Sequence, residues 1–90
     1  MHKQFRGSRY LNIGSKSIKL DYYLVEDKQI ISGSPKPRNV YGIEIIKDDD
    51  QKEIIKDISI NEERIINMIE IIKNNDVFPV HLHDVVEELL

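Results

Sequence analysis

Along residues 17 to 25, SIKLDYYLV, apolar and polar positions alternate. Ile18, Leu20, Tyr22 and Leu24 fall on one side of an extended chain, and Lys19, Asp21 and Tyr23 on the other. A period of two predicts a strand with one face against a core. Glu26, Asp27 and Lys28 then read as a short polar turn, with a hairpin returning through a second strand at residues 29 to 32. Ser32 to Asn39 holds Pro35, Pro37 and Gly33, which exclude a central strand and predict a stiff connection. Residues 40 to 47, VYGIEIIK, resume the alternation, with Tyr41, Ile43 and Ile45 opposed to Val40, Glu44 and Ile46. Gly42 interrupts this strand, where a glycine marks a bulge or a close backbone approach. DDDQK, residues 48 to 52, is a turn, and residues 53 to 58, EIIKDI, pair back as a fourth strand.

After Ser59 the period changes to that of a helix. Ser59 and Glu62 have capping-box spacing with Asn61 as a competing cap, and Asn74 and Asn75 provide an end. At roughly 100° per residue Ile65, Met68, Ile69 and Ile72 form one stripe, which Ile66 and Ile71 widen to an apolar arc of roughly 220°. A sheet does not need that much cover, so either a second helix or a partner chain shields the remainder. The second helix is expected to begin after Pro79 and run to the terminus. Leu82, Val85, Val86, Leu89 and Leu90 repeat at helical spacing there, with His83, Asp84, Glu87 and Glu88 mostly opposite. The pattern therefore predicts an α+β fold: a four-stranded antiparallel β-meander followed by two C-terminal α-helices packed on one face.

Ninety residues allow one modest core, and the 40% hydrophobic and 32% charged fractions are those of a folded chain. The absence of cysteine excludes disulfides, thiolate metal sites and thiol nucleophiles, and points to the cytoplasm. The sequence contains no secretory signal pattern and no run of 18 apolar residues, so no membrane association is expected. The net charge of −3 is unevenly spread. The first twenty residues carry Lys3, Arg6, Arg9, Lys16 and Lys19 and no acid, whereas residues 48 to 90 hold an excess of acids. Residues 1–16 accordingly read as a basic, flexible N-terminal arm on a single domain of residues 17–90. Such an arm suits nucleic acid, an anionic surface or the acidic half of a neighbouring copy.

Chemical candidates are few. His81-Leu82-His83-Asp84 resembles a ligand set, but on a helix the two imidazoles stand roughly 200° apart and do not chelate one ion together. The expected placement is a helix start, with His83 near Glu87 one turn on. Glu62-Glu63 and Glu87-Glu88 are adjacent helical residues that point apart rather than an acid–base pair. Asp48, Asp49 and Asp50 lack the glycine and final glutamate of a calcium loop. SPKPR at 34 to 38 reads as loop rather than a docking or phosphorylation motif. The four tyrosines lack the aromatic-basic signatures of RNA-binding strands. No catalytic residue, metal, cofactor or small-molecule substrate is expected.

YGIEI at 41 to 45, followed by PVHLHDVVEELL at 79 to 90, resembles a family of small uncharacterised proteins found mainly in anaerobic, spore-forming Gram-positive bacteria. The likeness covers residues 17 to 90. It implies a cytosolic bacterial protein and transfers no activity. The residues themselves lead to an expected role as a non-enzymatic interaction or regulatory protein that self-associates as a homodimer. Its contact surface is expected to comprise Ile66, Ile69, Ile71, Ile72, Val85, Val86, Leu89 and Leu90. The alternative is nucleic-acid binding through Lys3, Arg6, Arg9, Lys16 and Lys19.

Overall fold

Two long strands set the frame. The computed structural model describes residues 1–90, with β1 (His2–Ile13), β2 (Lys16–Gln29), β3 (Arg38–Lys47) and β4 (Gln51–Ser59) preceding α1 (Glu62–Asn74) and α2 (Leu82–Leu89). A single 3-10 turn over Pro79–His81 leads into α2. The strands form one antiparallel sheet in the order β1-β2-β3-β4. The expected α+β meander with two C-terminal helices is thus the observed fold, but the strand expected at 17 to 25 is its second, and the first lies at residues 2 to 13.

Residues 2 to 13, expected as a flexible arm, are an edge strand. They pair with β2 from His2↔Glu26 to Ile13↔Lys16, closed by a two-residue turn in which Gly14 has φ +62°. Positive φ at the first turn position is what a tight hairpin requires of glycine. An edge strand needs no continuous apolar face, so its basic composition did not prevent pairing. The expected turn at Glu26–Lys28 and strand at 29 to 32 are likewise absent. Glu26, Asp27 and Lys28 continue β2, opposite Tyr41, Val40 and Asn39 of β3, and the connection runs from Ile30 to Pro37. Charged side chains at the end of a sheet reach water without breaking the ladder, which runs on to Gln29↔Arg38 before the turn at Gly33.

The alternation read in β2 and β3 faces as expected. Leu20, Tyr22, Leu24, Tyr41, Ile43 and Ile45 meet Ile65, Met68, Ile69, Ile72, Leu82 and Val86 in one core. Burying each such aliphatic side chain contributes about 1.5–3 kcal/mol. The Tyr22 hydroxyl donates to the Val77 carbonyl at 3.1 Å within this core. Gly42 marks a close approach: a Cβ there would lie 2.0 Å from the Ile55 carbonyl oxygen. At this point β4 carries extra residues between its pairings with Ile43 and Tyr41.

Helix ends follow from side-chain chemistry. Asn61 caps α1, its side chain accepting from the Arg64 amide at 3.1 Å, while Ser59 accepts from the Asn61 amide. At the other end Asp76 has φ +51°, and the Val77 amide bonds the Ile72 carbonyl while that of Asp76 bonds Lys73. This is a Schellman closure with aspartate in the left-handed position usually held by glycine. Asp48 and Asp49 also adopt positive φ, so the acidic run at 48 to 50 is a turn.

The hairpin overhangs the sheet. β3 meets β2 only from Leu20 onward, with Lys19 bonded to Asp48 just past it, leaving Lys16–Ile18 paired with β1 alone. The Cα trace spans 56 × 24 × 18 Å.

Candidate interaction surface

Both helices lie on one face of the sheet, so the opposite face has no second layer. Register places Phe5, Tyr23, Glu44 and Ile54 in one row across all four strands. Phe5 and Tyr23 meet edge to face with centroids 5.5 Å apart. The neighbouring row is Ser8, Asp21, Ile46 and Lys52. Tyr23, Ile46 and Ile54 are half-buried and Phe5 is 56% exposed. A bare sheet face carrying aromatic and branched residues is a surface suited to another protein.

A charge pair crosses this face. Lys3 on β1 reaches Glu44 on β3, Nζ to Oε1 2.7 Å, in a contact that is ionic rather than a well-aligned hydrogen bond. Strands lie about 4.8 Å apart, so the Lys3 stem crosses β2 over Val25, its register partner. Val25 and Glu44 are nearly inaccessible, at 1% and 2%. Beside this pair the Ser8 hydroxyl donates to Asp21 Oδ1, and Lys19 Nζ lies 3.7 Å from Asp21 Oδ2.

Of the other cations expected to bind nucleic acid, Arg6 and Arg9 turn to the helix side. Arg9 Nε donates to Asp76 Oδ1 at 2.7 Å, and the hydrogen bond and charge of Asp76 raise the arginine pKa further. Arg6 approaches Glu70 at 4.0 Å, and its carbonyl accepts from Lys73 Nζ at 3.2 Å. Lys3, Arg6, Arg9 and Lys19 therefore each have a carboxylate within ion-pair distance, and Lys16 is the member of that set without one.

The helical residues expected as a contact surface separate into three groups. Ile69, Ile72 and Val86 are buried against the sheet; Ile66, Val85 and Leu89 are half-buried beside the core; Ile71 and Leu90 are exposed. Six of the eight thus lie in or beside the core, leaving Ile71 and Leu90 at the surface. His81 ends the 3-10 turn and His83 lies in the first turn of α2, its Nε2 3.4 Å from Glu53 of β4. No three His, Asp or Glu side chains converge as a metal site. The two surface depressions are open, one beside Met1 and Glu26 and one beside Gln51 and Pro79.

The helix-free face was missed in sequence because the strands were read for the face they bury. Its signal was present: Tyr23, Val40 and Ile46 sit at the positions assigned to the outer side, too apolar for a fully solvated surface.

A family model described as a family of unknown function, DUF6514, matches residues 2–90, including the basic strand. No curated protein and no solved structure matches the chain. No helix is long and apolar enough to cross a membrane.

Proposed function

Because this chain belongs to DUF6514, a family of unknown function, we propose from its geometry that it is a small non-enzymatic interaction module. It docks the helix-free face of its sheet onto another protein, and a second copy of itself is the partner that face fits. The observation that carries this reading is the four-strand row of Phe5, Tyr23, Glu44 and Ile54 on a sheet with helices on one side only. Lys3 neutralises Glu44 within the patch, so two copies meet without net repulsion at its centre. The face measures roughly 20 by 30 Å, or about 600 Å² a side, which places a pair near the lower bound of a specific interface. Such a dimer is reversible and suits a regulatory role. A bacterial cytoplasmic setting goes with this reading, since a cysteine-free chain asks nothing of an oxidising compartment. Nucleic-acid binding has less support, because phosphates would have to displace the carboxylates already beside four of the five cations.

Static light scattering across a wide concentration range tests the proposal. The wild type is expected to shift from monomer to dimer, Ile54→Glu to remain monomeric, and Leu90→Glu to behave as wild type. A wild type that stays monomeric throughout would overturn it.

A further inference from the structure

We propose that β1 is an exchangeable strand. The edge of β2 and the carboxylates beside it form an acceptor for a basic N-terminal strand, and a second copy of this chain supplies one as well as the chain's own does. This inference is independent of the docking face proposed above.

The central cluster contains no residue of β1, and Leu11 is the β1 side chain that packs against its margin. All thirteen residues of the central cluster lie between Leu20 and Val86, and no residue of β1 is buried. Beyond its ladder to β2, the strand is held by two apolar contacts, Phe5 on Tyr23 and Leu11 at the core margin, and by charge. The N-terminal amine is 3.5 Å from Asp27, Lys3 meets Glu44, Arg6 stands off at 4.0 Å from Glu70, and Arg9 meets Asp76. The Arg6 Nε is enclosed without a hydrogen-bond partner, so the bulge at this point is imperfectly secured. The pairs to Asp27, Glu70 and Asp76 are at partly exposed sites, where ion pairs hold weakly and are screened by salt; Glu44 is the buried exception. Release of β1 is therefore a local opening that leaves the body folded.

The opened body presents an unpaired edge flanked by Asp27, Glu44, Glu70 and Asp76, all acidic. That charge excludes an acidic strand and admits a basic one. A neighbouring copy offers the same strand with the same register, so every lost contact is remade between chains. Only the two-residue turn at Gly14–Ser15 must straighten, and exchange of identical elements is a low-cost route to dimers.

The absence of native cysteine makes the test clean. Asn12 and Ser17 face each other across the hairpin, the serine hydroxyl donating to Asn12 Oδ1 at 2.9 Å, and both are exposed. A chain carrying Asn12→Cys is mixed with one carrying Ser17→Cys, oxidised, and run on a non-reducing gel. The reference mixture pairs Asn12→Cys with Glu88→Cys. Exchange predicts several-fold more cross-chain product from the 12/17 mixture than from the reference, formed faster at high salt. Equal yields from the two mixtures would overturn the proposal. Both substitutions in one chain, oxidised when dilute, lock the hairpin. The locked chain is expected to lose exchange while keeping any dimer made through Ile54, so failure of one proposal is distinguishable from failure of the other.

Discussion

Lys3 and Glu44 lie on strands separated by a third, and their side chains meet at 2.7 Å across it. Glu44 is almost wholly buried, and the lysine is its one ionic partner. Removing the cation leaves a buried carboxylate uncompensated, which costs more than the pair itself contributes. Lys3→Ala is expected to destabilise the fold by about 1–3 kcal/mol. Lys3→Met keeps the stem over Val25, and Glu44→Gln added to it should recover part of the loss. Denaturant unfolding of the single and double variants measures the coupling; additive losses would contradict it.

Asp76 serves two needs at once, closing α1 with a left-handed backbone and holding Arg9 of the edge strand. Asp76→Asn keeps the backbone preference and loses the charge, so a loss within about 1 kcal/mol is expected, shrinking in high salt. Asp76→Ala adds the strain of a left-handed alanine, about 1–2 kcal/mol more, which salt does not relieve. Thermal unfolding at low and high ionic strength separates the two contributions.

Burial, with the negative charge of Asp76 behind it, pushes the Tyr22 hydroxyl well above its ordinary pKa of 10.0. Between that ordinary value and the raised one, the unfolded chain gives up this proton and the folded chain does not. Stability therefore holds below pH 10 and falls above it, at up to about 1.4 kcal/mol per pH unit for one such group. Tyr22→Phe should flatten the fall while losing the bond to Val77 at neutral pH, a cost of about 1 kcal/mol. Tyr41, raised by burial and by Glu62, leaves a residual slope of the same sign. Unfolding free energies measured from pH 8 to 11 test this.

Gly42 admits no side chain, since β4 backbone occupies the place where one would stand. Gly42→Ala should cost at least about 2–3 kcal/mol, because backbone rather than a flexible side-chain end must move. Gly33→Ala has no such obstruction, and its cost is limited to that of its φ of +84°. Circular dichroism melts of the two variants should differ accordingly.

These particulars explain how much could be read from residues alone. Leu20, Tyr22 and Leu24 announced their strand because one face is buried and the other is not, and the isoleucines of α1 announced their helix in the same way. Gly42 carried its meaning openly, since few residues have a single reason for being where they are. β1 was illegible for the opposite reason. Its bulge at Arg6 and Gly7 breaks the alternation, and its partners are acids up to 67 residues distant. The width of the apolar arc on α1 misled, since Ile66 leans on the core beside the buried stripe. The outer face went unseen because Lys3 and Glu44 look like two solvated charges until the register brings them together.

The overhanging hairpin also governs how this molecule moves through a solvent. Its radius of gyration is 14.3 Å, against about 12 Å for a round domain of this length. Drag therefore exceeds that of a sphere of equal mass, and tumbling is slower about the short axes than about the long one. A single chain will leave a sizing column early, in the manner of a heavier particle, so retention volume alone would count one molecule as more than one.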